Sequence, residues 1–268
     1  MKRVLITGTN GRIGGMLMRE LRNTGRYDVI ATARHADPER GILAMNLLDK
    51  ERILELTKGV DAVIHMAAYL GPGEFEEKVI PNNILGVYYI YEAMRINKVK
   101  RMVYGSTNHV IGFYKTTDVI EENTPYRPDT FYGLSKATSE LMGRMYSDKY
   151  GISCINIRIG HYPADDEPKS PRRTTVWISH RDMAHLVECC LEAPDDIRFL
   201  NLYGISKNTG RVWPIDHLKE LIGYDPQDDG AVFLERANDP EWSKSFRDAK
   251  GNFVDDTGHM GGEFINRE

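Results

Sequence analysis

Val4-Leu5-Ile6-Thr7-Gly8-Thr9-Asn10-Gly11-Arg12-Ile13-Gly14 is the stretch whose reading decides the fold. Val4 to Thr7 is a short apolar run without alternation, as expected of a strand covered on both faces. It enters a glycine-rich turn, and a helical pattern follows through Met16, Leu17 and Leu21. Strand, glycine turn and helix in this order are the context a dinucleotide fingerprint requires. The spacing is G-x-x-G-x-x-G. Gly8, Gly11 and Gly14 permit the tight turn and let the backbone N–H groups around Asn10, Arg12 and Ile13 approach a pyrophosphate at the helix N-terminus. Repeating strand–helix units downstream predict a three-layer α/β Rossmann fold with a parallel sheet and a small C-terminal substrate-binding cap.

Composition narrows the function classes. The chain has 268 residues, enough for one large α/β domain or a domain with a smaller lobe. A net charge of −4 implies no basic surface, so nucleic acid is not an expected partner. Cys154, Cys189 and Cys190 have no metal-like spacing and read as small core residues. The apolar run after Met1-Lys2-Arg3 is too brief for a signal peptide, and no stretch approaches a membrane span, so a cytoplasmic protein is expected. The division anticipated is a nucleotide-binding core over 1–160. Residues 161–268 would hold a substrate loop, remaining core elements and the cap.

The second strand, Val29 to Arg34, carries no acid before Asp37. An NAD-preferring fold places Asp or Glu there for the ribose hydroxyls. Arg34 instead offers a guanidinium suited to a 2′-phosphate, which favours NADP, unless it is a solvated loop residue. A third strand is expected over 41–45, closing on Asn46 and Leu47, where Asn46 either faces an adenine edge or makes a turn. Asp49 is read as the N-cap of a helix over 50–58. The fourth strand, 61–68, ends in the small residues Ala67 and Ala68, which allow close approach of a cofactor, and its His65 reads as a satisfied core histidine. A loop over 71–78 precedes a helix whose apolar stripe (Ile84, Val87, Tyr88, Tyr91, Met94) reads as core and as the seam of a homodimer or higher oligomer.

The fifth strand runs out into Ser106, Thr107, Asn108 and His109, a polar cluster where open parallel sheets bind ligands. In Phe131-Tyr132-Gly133-Leu134-Ser135-Lys136, Tyr132 and Lys136 lie one helical turn apart on one face. A free phenol has a pKa of about 10, which a neighbouring ammonium can lower, making the pair a general acid/base. A sixth strand spans 152–159. From His161 to Arg173 the chain is aperiodic and reads as a lid or binding segment. Its adjacent Arg172 and Arg173 could clamp a carboxylate or phosphate, or form a solvated charge cluster. Ser179 is read as the N-cap of a helix over 180–192, with a last strand at 199–203. After about 225 the sequence is turn-rich and carries little signal.

Together, Gly8-x-x-Gly11-x-x-Gly14, Thr107 and Tyr132-x-x-x-Lys136 resemble the extended short-chain dehydrogenase/reductase superfamily over roughly residues 1–205. A closer resemblance is to the uronate dehydrogenase group. It is carried by Ser106 to Tyr114, Arg158-Ile159-Gly160, Thr174 to His180 and Tyr203 to Ser206, and extends through Trp213 and Leu221 to Pro226 to about residue 235. The resemblance implies that NAD accepts a hydride from C1 of a cyclic hexuronate or related aldose, giving a lactone. It further implies Tyr132 as base, Lys136 as its activator and ribose anchor, and Thr107 on the reacting hydroxyl. Asn108 and His109 would touch the sugar, and Arg172 would grip its carboxylate. The chain departs from the group in three places: Thr107 stands where Ser is frequent, the second strand lacks the acid, and Tyr69-Leu70-Gly71-Pro72 and His161 replace small polar residues. A nucleotide-sugar epimerase or dehydratase is opposed by the short C-terminal region, and a non-catalytic NADP sensor by the Tyr–Lys pair.

Overall fold

The computed structural model describes residues 1–71 and 74–266; Pro72, in the segment singled out above, lies outside the described residues. Seven strands form one sheet in the order β3-β2-β1-β4-β5-β6-β7, with every pairing parallel. They are β1 (Lys2–Thr7), β2 (Tyr27–Ala33), β3 (Ile42–Ala44), β4 (Ala62–His65), β5 (Arg101–Thr107), β6 (Ser153–Ile159) and β7 (Phe199–Gly204). The helices are α1 (Arg12–Asn23), α2 (Lys50–Leu56), α3 (Gly86–Asn97), α4 (Phe131–Tyr150), α5 (Pro171–Thr175), α6 (His180–Glu192), α7 (Leu218–Ile222) and α8 (Pro240–Ser243). β1 is where strand order reverses: β2 and β3 lie to one side, and β4 to β7 to the other. The crevice at the carboxyl ends of β1 and β4 is therefore the expected ligand site.

Both faces of the sheet are packed because successive strand side chains point to opposite sides. In β1, Val4 and Ile6 join Leu17 and Leu21 of α1 and Met183 and Leu186 of α6 in one core. Leu5, between them, joins Ile90, Tyr91 and Met94 of α3 in the other. Each fully buried aliphatic side chain contributes about 1.5–3 kcal/mol, which is why a strand without alternation is stable here.

Local signals set the boundaries. Asp49 caps α2, its side chain accepting from Arg52 N. Thr130 caps α4, accepting from Gly133 N, and α4 ends on Gly151 at φ 71°. Ser179 caps α6, accepting from Asp182 N. The segment expected as a loop over 71–78 is helical earlier than that. A wide π-type helix spans Phe75–Leu85 with Pro81 inside it, and it leads directly into α3. Val79 N bonds Glu74 O at 3.1 Å, five residues back, and Pro81, lacking an N–H, cannot donate to this ladder. Of the apolar stripe, Val87, Tyr91 and Met94 are core, whereas Tyr88 faces outward.

His65 departs in part from a satisfied core histidine. It is fully buried with Nδ1 2.9 Å from Thr7 Oγ1, yet its Nε2 has no partner. Burial and the nearby Lys136 lower its pKa to about 3, so the ring is neutral. The three cysteines are free and buried. Among the described residues, no helix is long and apolar enough to cross a membrane.

Candidate active site

A cleft of about 1250 Å³ opens over the carboxyl edge of the sheet. Its nucleotide end is built by the β1–α1 turn. Gly8 has φ +76°, and a Cβ there would lie 2.7 Å from Ala67 N; one at Gly14 would collide with the Gly8 carbonyl. The glycines are thus required both for the turn and for its close seating on the end of β4. Gly11, the N-cap of α1, supplies no side-chain acceptor, which leaves the first N–H groups of the helix for an anion. Thr7 Oγ1 accepts from Ala67 N at 3.1 Å and so ties the ends of β1 and β4 together.

All the nucleotide-contacting residues read from the sequence line this cleft. Gly8, Asn10, Gly11, Arg12, Ile13 and Gly14 form one wall; Arg34, Asn46, Leu47, Ala67 and Ala68 form the next. Asn46 also makes its turn, with Oδ1 accepting from Leu48 N at 3.0 Å. Arg34 is joined by a second guanidinium with no sequence signal: Arg40 approaches Asn10 Oδ1 at 3.4 Å and Thr9 O at 3.5 Å.

The opposite wall carries the polar cluster at the end of β5 and the first two turns of α4. Thr107, Asn108, His109, Tyr132 and Lys136 all line the cleft. Lys136 is buried, donates to Gly105 O at 2.6 Å, and its Nζ lies 5.6 Å from the centre of the Tyr132 ring. Burial lowers the ammonium's pKa to about 7 against the opposing pull of Glu140. Burial also pushes the Tyr132 phenol above its ordinary value. This corrects the expectation of a phenol acidified by its neighbour: the ammonium is turned toward the Gly105 carbonyl, and desolvation dominates. Glu140, one further turn along the same helix face, accepts from Ser106 Oγ and pairs with Arg158 at 2.8 Å, both buried. The four-residue spacing of Tyr132, Lys136 and Glu140 is the signal that could have exposed it.

The other end of the cleft is closed by the C-terminal segment, which sequence reasoning left blank. His109 Nδ1 meets Asp129 at 2.9 Å, and the Phe264 ring packs edge-on at 4.8 Å. Asn108 Nδ2 donates to Met260 O at 3.2 Å. Arg172 lies in a side cavity of about 130 Å³, its Nη2 donating to Met260 O at 2.5 Å and His259 O at 3.3 Å. Arg173 lines both cavities. It pairs with Asp255 at 3.0 Å and Glu263 at 3.6 Å and donates to His161 Nδ1 at 3.0 Å. His161 is therefore neutral, with a pKa lowered to about 3 by burial and the two arginines. Phe264 and Phe246 also line the main cleft; their aperiodic stretches gave no means of finding them.

With this geometry in place, residues 4–180 match the NAD dependent epimerase/dehydratase family. The chain belongs to that family. Within it, the chain is similar to uronate dehydrogenase from Pseudomonas syringae pv. tomato, with 37% identity covering 88% of this chain and 86% of that protein. It is also similar to an NAD-dependent glucose-6-phosphate dehydrogenase from Haloferax volcanii, with 32% identity covering 86% and 95%. Among solved structures, a mutant uronate dehydrogenase from Agrobacterium tumefaciens complexed with NAD has a TM-score of 0.86 and 29% identity, covering 100% of this chain and 98% of that one. The glycine turn of this family member fits the dinucleotide its family description names, because Gly11 caps α1 without a side-chain acceptor and leaves the first helical N–H groups for a pyrophosphate.

Proposed function

We propose that the protein oxidises C1 of a cyclic hexuronate or related aldose to the lactone, with NAD(P) as the hydride acceptor. When bound, the oxidised nicotinamide takes the hydride released from C1. The chain's own residues handle the proton and the positioning. The C1–H bond breaks as hydride leaves, the hydroxyl proton passes to the Tyr132–Lys136 pair, and the C1–O double bond forms. Thr107 holds the reacting hydroxyl; Asn108 and His109 orient the sugar, His109 through its bond to Asp129. Lys136, fixed on Gly105 O, supplies positive charge beneath the phenol.

The observation that carries this reading is the convergence of Tyr132, Lys136 and Thr107 on the same cleft as the Gly8–Gly14 turn. Relatives named uronate dehydrogenase at up to 37% identity support the substrate class. Arg34 and Arg40 at the nucleotide end, with no acid at the end of β2, support NADP over NAD. The outward Tyr88, Leu141 and Met145 of α3 and α4 support a homo-oligomer formed through these helices. The test is a screen of hexuronates and neutral aldoses against NAD and NADP, followed by absorbance of the reduced nicotinamide. Turnover of hexuronates bears the reading out, and silence across the panel refutes it.

A further inference from the structure

Lys136 carries a buried ammonium whose direct partners are a carbonyl and a ring. Its Nζ donates to Gly105 O at 2.6 Å and lies 4.5 Å from the centre of the Tyr104 ring. A charge taken out of water in this way is costly unless an opposite charge stands near it. Glu140 answers this need from one turn further along α4, where side chains four residues apart are neighbours. Both side chains are buried. Burial lowers the lysine's pKa to about 7, and the Glu140 carboxylate pulls the other way. That carboxylate is fixed from three sides. Arg158 of β6 reaches it through Nη2 at 2.8 Å and through Nε at 3.2 Å. Ser106 of β5 donates to it, and so does Tyr126 at 3.0 Å. The other titratable groups packed here are uncharged. Burial raises the phenols of Tyr91, Tyr104, Tyr126, Tyr132 and Tyr203, and His65, stacked on Tyr104 at 5.8 Å, is neutral.

From this arrangement, and resting on the reading of a C1 sugar dehydrogenase, we infer that Glu140 is a positioning residue: its anchored carboxylate supplies the countercharge that keeps the Lys136 ammonium beside Tyr132. Of the Glu140–Arg158 pair, it is the carboxylate, on the lysine's own helix, whose field the lysine feels. Arg158 binds that carboxylate from β6 and sends its Nη1 to Glu122 O at 3.1 Å and to the Tyr203 hydroxyl at 3.4 Å. Through Ser106, the neighbour of Thr107, Glu140 also fastens the end of β5 to the helix that carries Tyr132. Glu140 is not among the residues that line the cleft. It acts on the reaction through Lys136, by setting the pH at which that lysine gives up its proton.

The test is the pH profile of kcat/KM for hexuronate oxidation in Glu140→Gln and in Glu140→Gln/Arg158→Met. The single variant keeps the bonds to Ser106 and Tyr126 but leaves Arg158 buried without its carboxylate, which is strongly destabilising; the double variant removes both charges and restores a neutral interior. Loss of the carboxylate disfavours the ammonium, so the acid limb should move about one pH unit or more toward acid in either variant. A purely structural role predicts the wild-type limb once the double variant folds. An acid limb that stays in place or moves toward alkali in the double variant overturns the inference. Direct titration of Lys136 gives a readout independent of turnover. It follows the ¹³Cε signal of labelled lysine by NMR, assigned through Lys136→Met, and should show the same displacement between wild type and the double variant. If wild type oxidises no sugar, the dehydrogenase reading fails. In that case, a displaced Lys136 titration still upholds the countercharge, and an unmoved one sinks it.

Discussion

Lys136 Nζ lies 5.6 Å from the centre of the Tyr132 ring, one helical turn along α4, and is bonded to the Gly105 carbonyl. An ammonium beside a phenolate and an amine beside a phenol hold the same number of protons, so in the proposed oxidation either form with one proton removed can accept the next. The proposed oxidation has these groups accept a proton, so it predicts that the form carrying both protons is inactive. With Lys136 lowered to about 7, the first proton leaves near neutrality. The pH profile of kcat/KM for oxidation should rise about tenfold per unit below pH 7 and flatten above it. In Lys136→Met the rise should move well to the alkaline side, because burial raises the remaining phenol. A profile falling through pH 7 would contradict the pairing.

The proposed preference for NADP rests on Arg34. Arg34→Ala should weaken NADP binding by about tenfold or more, the scale of one lost charge-assisted contact, and leave NAD binding within about twofold. Titration of the purified protein with each nucleotide, read by intrinsic fluorescence, measures both. Equal losses for the two would remove the 2′-phosphate from the account.

Arg172 is bonded to the C-terminal segment, and the proposed function gives it a second role toward the substrate carboxylate. Arg172→Ala strips a charged donor from the His259 and Met260 carbonyls, at a cost of about 1–3 kcal/mol in stability by chemical denaturation. KM should rise more for a hexuronate than for the neutral aldose. Equal rises would make Arg172 an anchor of the segment and nothing more.

His65 and His161 make the fold sensitive to acid. Both rings are held neutral, lowered from 6.5 to about 3, so between those values the unfolded chain binds protons that the folded chain excludes. Stability is full above about pH 6.5 and falls as pH drops, at up to about 1.4 kcal/mol per pH unit for each histidine. Urea midpoints at pH 7 and pH 5 check this, and His65→Gln should flatten the slope. A midpoint that does not move between the two pH values would show that neither ring resists protonation.

Where the sequence could be read, the cause was periodicity or a fixed local requirement. β1, the glycine turn and α1 were legible because Gly8 and Gly14 meet steric demands that no other residue satisfies. Tyr132 and Lys136 were legible because helical spacing puts them on one face. The Phe75–Leu85 helix was not, because Pro81 and the preceding turn residues signal a break, and only the wider hydrogen-bond pattern accommodates them. The segment from Asp255 to Phe264 was not legible either. Its course is fixed by distant partners, Asp255 on Ser170 and Arg173, and Gly261 N on Gly112 O at 2.9 Å, and such contacts leave no local pattern. The same blind spot hid Glu263 and the unequal placement of Arg172 and Arg173.

The most direct test of the central claim is single-turnover oxidation of a hexuronate by Tyr132→Phe, with cofactor affinity measured on the same preparation. Removing the phenol oxygen proposed to take the hydroxyl proton should cut the rate about 10²–10⁴-fold while NAD(P) binding stays within about twofold. Wild-type turnover in Tyr132→Phe with intact cofactor binding would contradict the assignment of Tyr132 as the base.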